Sequence, residues 1–377
     1  MAEWVMKKLK DIADFNPRES LAKGVVAKKV AMDKLQPFCR DVPGYELEPF
    51  SGGTKFRNGD TIMARITPCL ENGKTAKVSI LDDGEVGFGS TEYIVFRAKE
   101  GVDEDFVYYL VCSPIVREPA IKSMVGSSGR QRVQTDVVQN LDIMIPGYED
   151  QKRIAGLLKS LDDKIAANTE VNKNLQEQAQ ALFRERFLSN SGMSENWKLM
   201  TLGEVSDMNA GGDKPKIISD HKSNEYKYPV FSNGISDEGL YGFTSDYKIS
   251  AESVTVSARG TIGFVCLRHV PFTPIVRLVT LVPHTEILSA KYLYLWLLNT
   301  PIHGTGTTQQ QLTVPDFRKT EIIIPTEVEM KTFTETVDPL FQKIWSNQEE
   351  STKLAEFRDT LLPRLMSGEL DVSTLDL

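Results

Sequence analysis

Two loops of similar composition carry side chains that could hold and read a nucleic acid. In the first half of the chain, Gly126-Ser-Ser-Gly129 is followed by Arg130-Gln-Arg132, and in the second half Gly304 to Gln311 reads GTGTTQQQ. Arginine, serine, threonine and glutamine hydrogen-bond to phosphates, and arginine and glutamine also recognise the edges of guanine and adenine. The alternative interpretation of each segment is a solvated loop without a ligand.

Other basic residues of the variable regions extend this candidate nucleic-acid interface, although each is ambiguous when taken alone. Lysines and arginines that neutralise phosphates supply most of the affinity of such interfaces. The complete candidate set comprises Lys55, Arg57, Arg65, Arg97, Lys122, Arg130, Gln131, Arg132, Lys214, Lys216, Arg259, Arg268, Arg277, Gln309, Gln310 and Gln311.

The sequence contains no catalytic or metal-binding pattern. Its histidines, His221, His269, His284 and His303, all lie in the second half without metal-ligand spacing, and its four cysteines form no CxxC pair. It has no P-loop, no GxSxG elbow and no dinucleotide-binding glycine pattern. We therefore expect this chain to hold no catalytic residue and no metal.

The composition is that of a soluble globular protein with two or three domains. The 377 residues are 41% hydrophobic and 25% charged, and no apolar run approaches the roughly 18 residues that span a membrane. The few cysteines and the lack of a signal peptide predict a reducing, cytoplasmic location. Of the net charge of −8, −6 comes from the 5 basic and 11 acidic residues of 326–377, so the rest of the chain can still present basic faces.

The chain contains the same unit twice. Trp4 to Asn16 aligns with Trp197 to Asn209 without a gap, and residues 131–186 align with residues 310–365. Between these anchors the two copies differ greatly, and the first is longer. The pattern indicates a duplicated frame with divergent middle portions, each of them a mixed α/β block.

A long helix follows the last predicted strand of each copy. Those strands, DIMIP and EIIIP, end at Pro146 and Pro325, and Thr326 and Glu329 have the spacing of a capping box. Residues on one face then recur at alternating spacings of four and three, which predicts a heptad seam with polar interruptions at matched places. The alternative is that each helix packs only on its own block. The seam comprises Ile154, Leu158, Leu161, Ile165, Asn168, Asn172, Leu175 and Leu182 in the first helix, and Phe333, Val337, Leu340, Ile344, Asn347, Ser351, Leu354 and Leu361 in the second.

The short connection between the copies predicts how the helices pair. Only a polar linker joins the first helix to the second copy, so the second helix can pair with the first only by running back along it. The predicted fold is α+β, with two pseudo-symmetric α/β domains separated by an antiparallel two-helix coiled coil. In this arrangement Asn168 lies near Ser351, and Asn172 lies near Asn347. The predicted segments are domain 1–149, helix 150–188, linker 189–196, domain 197–325, helix 326–370 and tail 371–377.

The repeated frame resembles the specificity subunit (HsdS) of type I restriction–modification systems. The resemblance rests on the openings at Trp4 and Trp197, on Pro146-Gly-Tyr-Glu-Asp-Gln-Lys-Arg-Ile154, and on Leu361-Leu-Pro-Arg-Leu-Met-Ser-Gly-Glu-Leu370. It covers essentially the whole chain, and the order block, helix, block, helix is part of it.

This resemblance implies a non-catalytic DNA-binding subunit. Residues 1–149 and 197–325 would each be a target recognition domain that reads one half of a bipartite sequence in double-stranded DNA. The paired helices would fix the spacing and dock two methyltransferase (M) subunits, and restriction (R) subunits would join through that assembly. S-adenosylmethionine, ATP and magnesium would belong to the partners, and no membrane partner is expected.

Two other classes of protein fit parts of the pattern. A single-chain DNA methyltransferase would need a cofactor-binding loop and an Asn/Asp-Pro-Pro-aromatic motif, and the sequence has neither. A structural adaptor with two protein-binding heads would keep the repeat and the helices without binding DNA. Selection of DNA by the chain together with its methyltransferase partner distinguishes these classes.

Overall fold

A computed structural model describes residues 4–189, 194–304 and 311–372. The predicted linker and the predicted tail lie partly outside the described residues. Within the described ranges, none of the helices combines the length and the apolar character that a membrane crossing needs. The most apolar short run of the sequence, Tyr292 to Leu298, belongs to a helix of nine residues.

The chain divides into two units that do not coincide with its two halves. Unit 1 is Met1–Glu170 together with Asn347–Leu377, and unit 2 is Val171–Ser346. Each unit combines the block from one copy of the repeat with part of both long helices.

Unit 1 is built on two four-stranded sheets. One sheet has the strand order β2-β9-β6-β7 and the other β4-β3-β8-β5, while β1 and β10 form a separate antiparallel pair. The hydrophobic core lies between these strands, the helices α2 and α3, and the long helices. The elements in chain order are β1 (Val5–Lys8), α1 (Leu9–Ile12), β2 (Ala13–Phe15), β3 (Val26–Val30), β4 (Glu46–Pro49), β5 (Thr54–Phe56), β6 (Thr61–Ala64), β7 (Thr75–Lys77), β8 (Gly87–Gly89), β9 (Tyr93–Ala98), α2 (Glu104–Cys112), α3 (Pro114–Lys122), α4 (Thr135–Gln139), β10 (Asp142–Ile145) and the long helix α5 (Tyr148–Phe187), which begins in this unit.

Unit 2 repeats this arrangement with a shorter second sheet. Its sheets have the strand orders β12-β18-β15-β16 and β14-β13-β17, and β11 pairs with β19. The elements are β11 (Lys198–Thr201), α6 (Leu202–Val205), β12 (Ser206–Ala210), β13 (Tyr228–Phe231), a short 3-10 turn (Ser236–Gly239), β14 (Leu240–Thr244), β15 (Ser253–Val256), β16 (Val265–Arg268), β17 (Thr273–Pro274), β18 (Val279–Pro283), α7 (Ala290–Leu298), α8 (Val314–Phe317), β19 (Glu321–Ile324) and the long helix α9 (Glu327–Met366), which begins in this unit.

The predicted duplication is visible in the pairing of the strands. Val5 lies opposite Ile145 in the first unit, and Lys198 lies opposite Ile324 in the second. The helices α2 and α7 also begin in the same way, because Asp103 and Ser289 each accept a hydrogen bond from the backbone N–H three residues later. Common frame residues thus form the same local structure twice.

The two long helices are close to the predicted segments and are each 40 residues long. The sequence predicted 150–188 and 326–370, whereas α5 spans Tyr148–Phe187 and α9 spans Glu327–Met366. The predicted capping box is present at the start of α9. Glu329 accepts the backbone N–H of Thr326 at 3.0 Å, and the Thr326 hydroxyl accepts the N–H of Glu329 at 3.3 Å.

Within unit 1 the two helices are antiparallel. Asp162 pairs with Arg358, whereas Asn168, further along α5, donates to the hydroxyl oxygen of Ser351 at 3.2 Å. The residue number of the contact on α9 therefore decreases as that on α5 increases, which is the order expected of antiparallel helices. The predicted proximity of Asn168 to Ser351 is confirmed. Asn168 is buried and also donates to a carboxylate oxygen of Glu350 at 2.9 Å, so the polar interruption of the seam is hydrogen-bonded.

Within unit 2 the helices are antiparallel as well. The side-chain amide of Asn172 donates to the carbonyl oxygen of Ile344 at 3.3 Å. Towards the end of α5, the rings of Phe183 and Phe187 pack on Phe333, with centroids 5.9 and 5.0 Å away.

The predicted seam is correct over most of its length and wrong near the end of α5. Leu182 is 37% exposed, whereas its neighbour Phe183 is fully buried. After Ala179 the buried positions follow steps of four, through Phe183 to Phe187, because these two rings fill an aromatic cluster with Tyr292 and Phe333. Of the remaining predicted seam residues, Ile154, Leu158, Asn168, Phe333, Val337, Ile344, Asn347 and Leu361 are buried, and Leu161, Ile165, Asn172, Leu175, Leu340, Ser351 and Leu354 are half-buried.

A buried ion pair joins the helices to the block of unit 1. Asp162 accepts from the guanidinium of Arg358 at 2.6 Å and from the hydroxyl of Tyr109 at 2.7 Å. Burial raises the pKa of Tyr109, so its hydroxyl stays protonated and able to donate. Arg358 also reaches the carbonyl oxygen of Phe38 at 3.3 Å. These contacts join two helices and two parts of the block through one ion pair.

The equivalent positions of unit 2 are apolar. In the aligned repeats, Asp162 corresponds to Phe341 and Arg358 corresponds to Ala179. Both residues are buried, and the ring of Phe341 packs edge-on against Tyr294, with centroids 6.0 Å apart. One frame thus accommodates an ion pair in the first unit and a hydrophobic contact in the second.

We predict that Asp162→Ala destabilises the folded chain by up to about 3–5 kcal/mol, because it removes the buried counter-ion of Arg358 and leaves only the exposed carboxylate of Asp359. Replacing the pair by the residues of unit 2, as Asp162→Phe with Arg358→Ala, should recover most of this loss. Urea unfolding followed by far-ultraviolet circular dichroism measures both effects.

The neighbouring substitution Asp163→Ala is the matched control for this prediction. Asp163 also binds an arginine, Arg40, but is about half exposed, and Arg40 keeps its bonds to Asp41. We expect a loss of at most about 1 kcal/mol. Equal unfolding midpoints for Asp162→Ala and Asp163→Ala would contradict the role given to the buried pair.

Candidate DNA interface

Three loops of unit 1 meet at one corner of its block. They are the end of β6 at Arg65, the turn before β9 at Glu92, and the loop that contains Val125 to Arg132. The backbone N–H of Arg65 donates to the carbonyl oxygen of Glu92 at 2.9 Å, and the N–H of Val133 donates to that of Arg65 at 2.9 Å. Val125 and Arg132 exchange two further backbone hydrogen bonds. The corner is therefore held by main-chain bonds that do not depend on the identity of its side chains.

The arginines of this corner differ in how far they are constrained. Arg132 is locked to Glu92 by a two-nitrogen contact, with its Nε and a terminal nitrogen 3.0 and 2.7 Å from the carboxylate. The hydrogen bond from Arg132 lowers the pKa of Glu92. Arg130 is exposed, and its guanidinium makes no hydrogen bond or ion pair to any residue that the structure describes. Gln131, between them, is half-buried.

The corresponding corner of unit 2 is built from the same three places. Leu312 donates its backbone N–H to the carbonyl oxygen of Ala258 at 3.0 Å, as Val133 does to Arg65 in unit 1. The guanidinium of Arg259 donates to the side-chain oxygen of Gln311 at 3.2 Å. The turn before β18 carries Arg277, which is exposed. Three residues predicted from the sequence are thus brought to one corner.

A basic segment lies beside this corner of unit 2. The N–H of Arg277 donates to the carbonyl oxygen of Gly211 at 2.8 Å, and the chain continues from there to Lys214 and Lys216. Lys214 lies over the ring of Tyr241, 4.2 Å from its centroid, and Lys216 is exposed. Lys248, which sequence reasoning missed, has its Nζ next to Gly212.

A second group of predicted residues in unit 1 is occupied with internal ion pairs. Arg97 makes two bonds of 2.7 Å to Asp60, and Arg57 and Arg97 each reach Glu19 at 2.7 Å. Lys55 donates to the carbonyl oxygen of Glu19 at 2.8 Å. The hydrogen bond from Arg57 is the main influence that lowers the pKa of Glu19. This cluster lies towards the far end of β9 from Glu92, so it is separate from the corner.

Two further candidates lie elsewhere. Lys122 is exposed at the end of α3 and pairs with Glu118 on the same helix at 3.3 Å. Arg268 is 4% exposed, bonds to Thr255 and Glu238, and stacks on Phe231. A buried guanidinium with these partners is not available to a phosphate, so Arg268 is removed from the candidate set.

Gln309 and Gln310 lie outside the described residues. Over 4–189, 194–304 and 311–372, no group of three or more histidine, cysteine or acidic residues is arranged to hold a metal ion. The residues that sequence reasoning missed are Glu92, Asn233 and Lys248. Their neighbours are 36 or more residues away or are main-chain atoms, so no local motif marks them.

Comparison with known proteins gives the same family for both copies of the repeat. The family model for the type I restriction modification DNA specificity domain matches residues 1–177 and 194–356. A type I specificity subunit of Mycoplasma pneumoniae is 30% identical over 62% of this chain and 64% of its own length, just under two thirds of that relative. The HindI specificity subunit of Haemophilus influenzae is 25% identical over 88% of this chain and 89% of its own length.

A solved structure has the same fold. The S subunit of a type I restriction–modification system from M. genitalium superposes with a TM-score of 0.57 at 17% identity, covering 97% of this chain and 96% of the other. This likeness supports the α+β architecture with two repeated domains and a pair of long helices. The family model covers most of both units, including the corner loops of unit 1 and the described corner loops of unit 2. The chain therefore belongs to the type I restriction modification DNA specificity family.

Proposed function

We propose that this chain is the DNA sequence-specificity subunit of a type I restriction–modification complex, and that each unit reads one half of a bipartite target. The corner loops of unit 1 would contact the first half-site, and those of unit 2 the second. Family membership supports the general role in DNA specificity. The assignment of half-sites to corners rests on the geometry of the two units.

One observation carries this assignment: the two corners share a main-chain hydrogen bond at matching positions and differ in their exposed side chains. Val133 and Leu312 occupy matching positions and donate to matching loops, whereas the exposed groups are Arg130 and Arg132 in one unit and Arg259 and Arg277 in the other. Arginine is the side chain most suited to reading guanine, and it also binds phosphate. Recognition of two different half-sites would require this combination of a common main-chain frame with different base-contacting side chains.

The proposed partners follow from the repeated frame. A surface that occurs twice can bind two copies of one protein, so we propose that two methyltransferase subunits dock on the frame and that restriction subunits join through them. S-adenosylmethionine, ATP and magnesium would then be held by those partners. We propose the cytoplasm as the location, because the DNA and the partner subunits would be met there.

A structural adaptor with two protein-binding heads is the alternative function. Such an adaptor would also contain the helices and the repeat, but the exposed arginines of the corners would have no function in it. Selection from randomised DNA by the chain and its methyltransferase partner separates the two functions, since an adaptor would enrich no sequence.

We predict that exchanging residues 197–325 for the equivalent block of another specificity subunit changes one half of the selected sequence only. The corner of unit 1 keeps all of its hydrogen bonds in such a chimera, because each of them lies within residues 1–149. The reciprocal exchange of residues 1–145 should change the opposite half. A change in both halves after either exchange would contradict separate reading.

We predict that the ion pair of Glu92 with Arg132 holds the loop 125–132 in a pH-dependent way. The pKa of Glu92 is lowered in the folded chain, so the stabilisation is present above the ordinary glutamate value of about 4.3. It is lost as the pH falls through the lower, folded value. Amide hydrogen exchange of residues 125–132 should accelerate as the pH falls through that range, beyond the change in intrinsic exchange rate.

Glu92→Gln is the test variant for this ion pair, because it removes the titrating charge and keeps the size. Its loop should exchange faster than the wild-type loop near neutral pH and lack the additional acceleration in acid. Glu118→Gln, which affects only the exposed pair with Lys122, is the matched control. Unaltered protection of residues 125–132 in Glu92→Gln would show that the main-chain bonds suffice.

A further inference from the structure

A turn in unit 2 holds two consecutive non-glycine residues in the left-handed region. Val276 has a φ of +52° and Arg277 a φ of +62°. This backbone conformation is rare for residues other than glycine and is a genuine outlier for a β-branched residue such as valine. It costs free energy and persists only where the surroundings impose it. Val276 is 44% exposed, so burial of its side chain does not explain the turn.

On one side the turn is held by the main chain of a glycine pair. The N–H of Arg277 donates to the carbonyl oxygen of Gly211 at 2.8 Å, and that of Val276 donates to the carbonyl oxygen of Gly212 at 2.9 Å. The approach is so close that a Cβ on Gly211 would lie 2.7 Å from the backbone nitrogen of Ile275. The glycine is therefore needed for this contact.

On the other side the turn is held by a single side chain. The amide nitrogen of Asn233 donates to the carbonyl oxygen of Val276 at 2.6 Å, and its amide oxygen accepts the backbone N–H of Ala258 at 2.7 Å. An asparagine has both a donor and an acceptor in one short side chain, which this bridge requires. Asn233 thus connects the turn that carries Arg277 to the loop that carries Arg259.

These contacts on both sides of the turn hold the backbone of Arg277, whereas its guanidinium is not held by any of the described residues. Arg277 is exposed, and its guanidinium has no hydrogen bond or ion pair to any of the described residues. Lys214, Lys216 and Lys248 lie on the adjoining segments. A backbone held in advance reduces the freedom that is lost on binding, and this favours both affinity and selectivity.

We propose that Asn233 is a positioning residue for DNA recognition by unit 2, and that Arg277 is the specificity-determining side chain it presents to a base edge of the second half-site. This inference rests on the proposed function and adds the residues that carry it out. The chemistry expected of Arg277 is a two-nitrogen hydrogen bond to the O6 and N7 of guanine in the major groove.

The test is a selection from randomised DNA by the full-length chain assembled with its methyltransferase partner, comparing the wild type with Arg277→Ala and Asn233→Asp. Arg277→Ala should lose the preference at one base pair of one half-site, by roughly 5- to 150-fold. Asn233→Asp should lose the preference at the same base pair, because a carboxylate still accepts from Ala258 but cannot donate to the Val276 carbonyl.

Two controls make the comparison specific. Asn224→Asp changes the charge of an exposed asparagine in the same unit and should select the wild-type sequence. The double variant Asn233→Asp with Arg277→Ala should lose no more preference than Arg277→Ala alone, since both changes act through one contact. Additive losses would indicate that Asn233 acts on DNA recognition by a different route, and would overturn its role as a positioning residue for Arg277.

The outcomes separate this inference from the proposed function. A wild-type complex that enriches no sequence would contradict the proposed function itself. A wild-type complex that enriches a bipartite sequence, together with an unchanged preference in Arg277→Ala, would overturn the inference alone. A uniform loss of affinity in Arg277→Ala without lost preference would also overturn it, since Arg277 would then contact phosphate. Because Arg277 is exposed, its replacement by alanine should not affect folding, and the comparison of Arg277→Ala with the wild type remains decisive if Asn233→Asp does not fold.

Discussion

The structure of unit 1 depends on the antiparallel return of the last long helix to the first block. Leu361, Leu362 and Leu365 lie in the same buried cluster as Leu9 and Ile12, at the other end of the sequence. The first block therefore has no complete core until α9 has been made and has packed on α5. Unit 2, in contrast, consists of one continuous segment of chain, and its helix contacts bring together parts of α5 and α9 that flank its own block.

The buried groups at the helix contact determine which helices can pair. In unit 1 the carboxylate of Asp162 is opposite Arg358, whereas the equivalent residues of unit 2, Phe341 and Ala179, belong to one buried apolar cluster. By the alignment of the repeats, pairing α5 with a second copy of itself would set Asp162 against Ala179 and leave a buried carboxylate without a cation. Removing one partner of a buried pair costs several kcal/mol. The ion pair thus adds little net stability compared with an apolar contact, but it favours pairing of α5 with α9 over pairing of like helices.

The sequence predicts the frame well because the frame is recorded in local patterns. The repeat, the strands that end at Pro146 and Pro325, and the capping box of Thr326 all depend on residues close together in the chain. The seam fails at Leu182 because the aromatic side chains of Phe183 and Phe187 determine which face of α5 is buried, and a heptad count ignores side-chain size. The contacts of the corners were not predictable in the same way. Asn233 meets Val276 across 43 residues, and both of its partners, the Val276 carbonyl oxygen and the Ala258 N–H, are main-chain groups that leave no mark on the sequence.

The division between main-chain and side-chain bonds explains how one frame can serve two different corners. The hydrogen bonds from Val133 to Arg65 and from Leu312 to Ala258, which join corner loops, use backbone groups only, so substitutions of the exposed side chains leave them intact. Each corner also has a side-chain contact of its own. In unit 1 the carboxylate of Glu92 binds Arg132, and in unit 2 the amide of Asn233 binds the strained turn at Val276. Because each of these side-chain contacts lies outside the repeated frame, the side chains proposed to read DNA and their supports can change together while the sheets beneath them stay the same. Under the proposed function, a fold with this property can acquire a new DNA preference in one unit without altering the stability or the preference of the other.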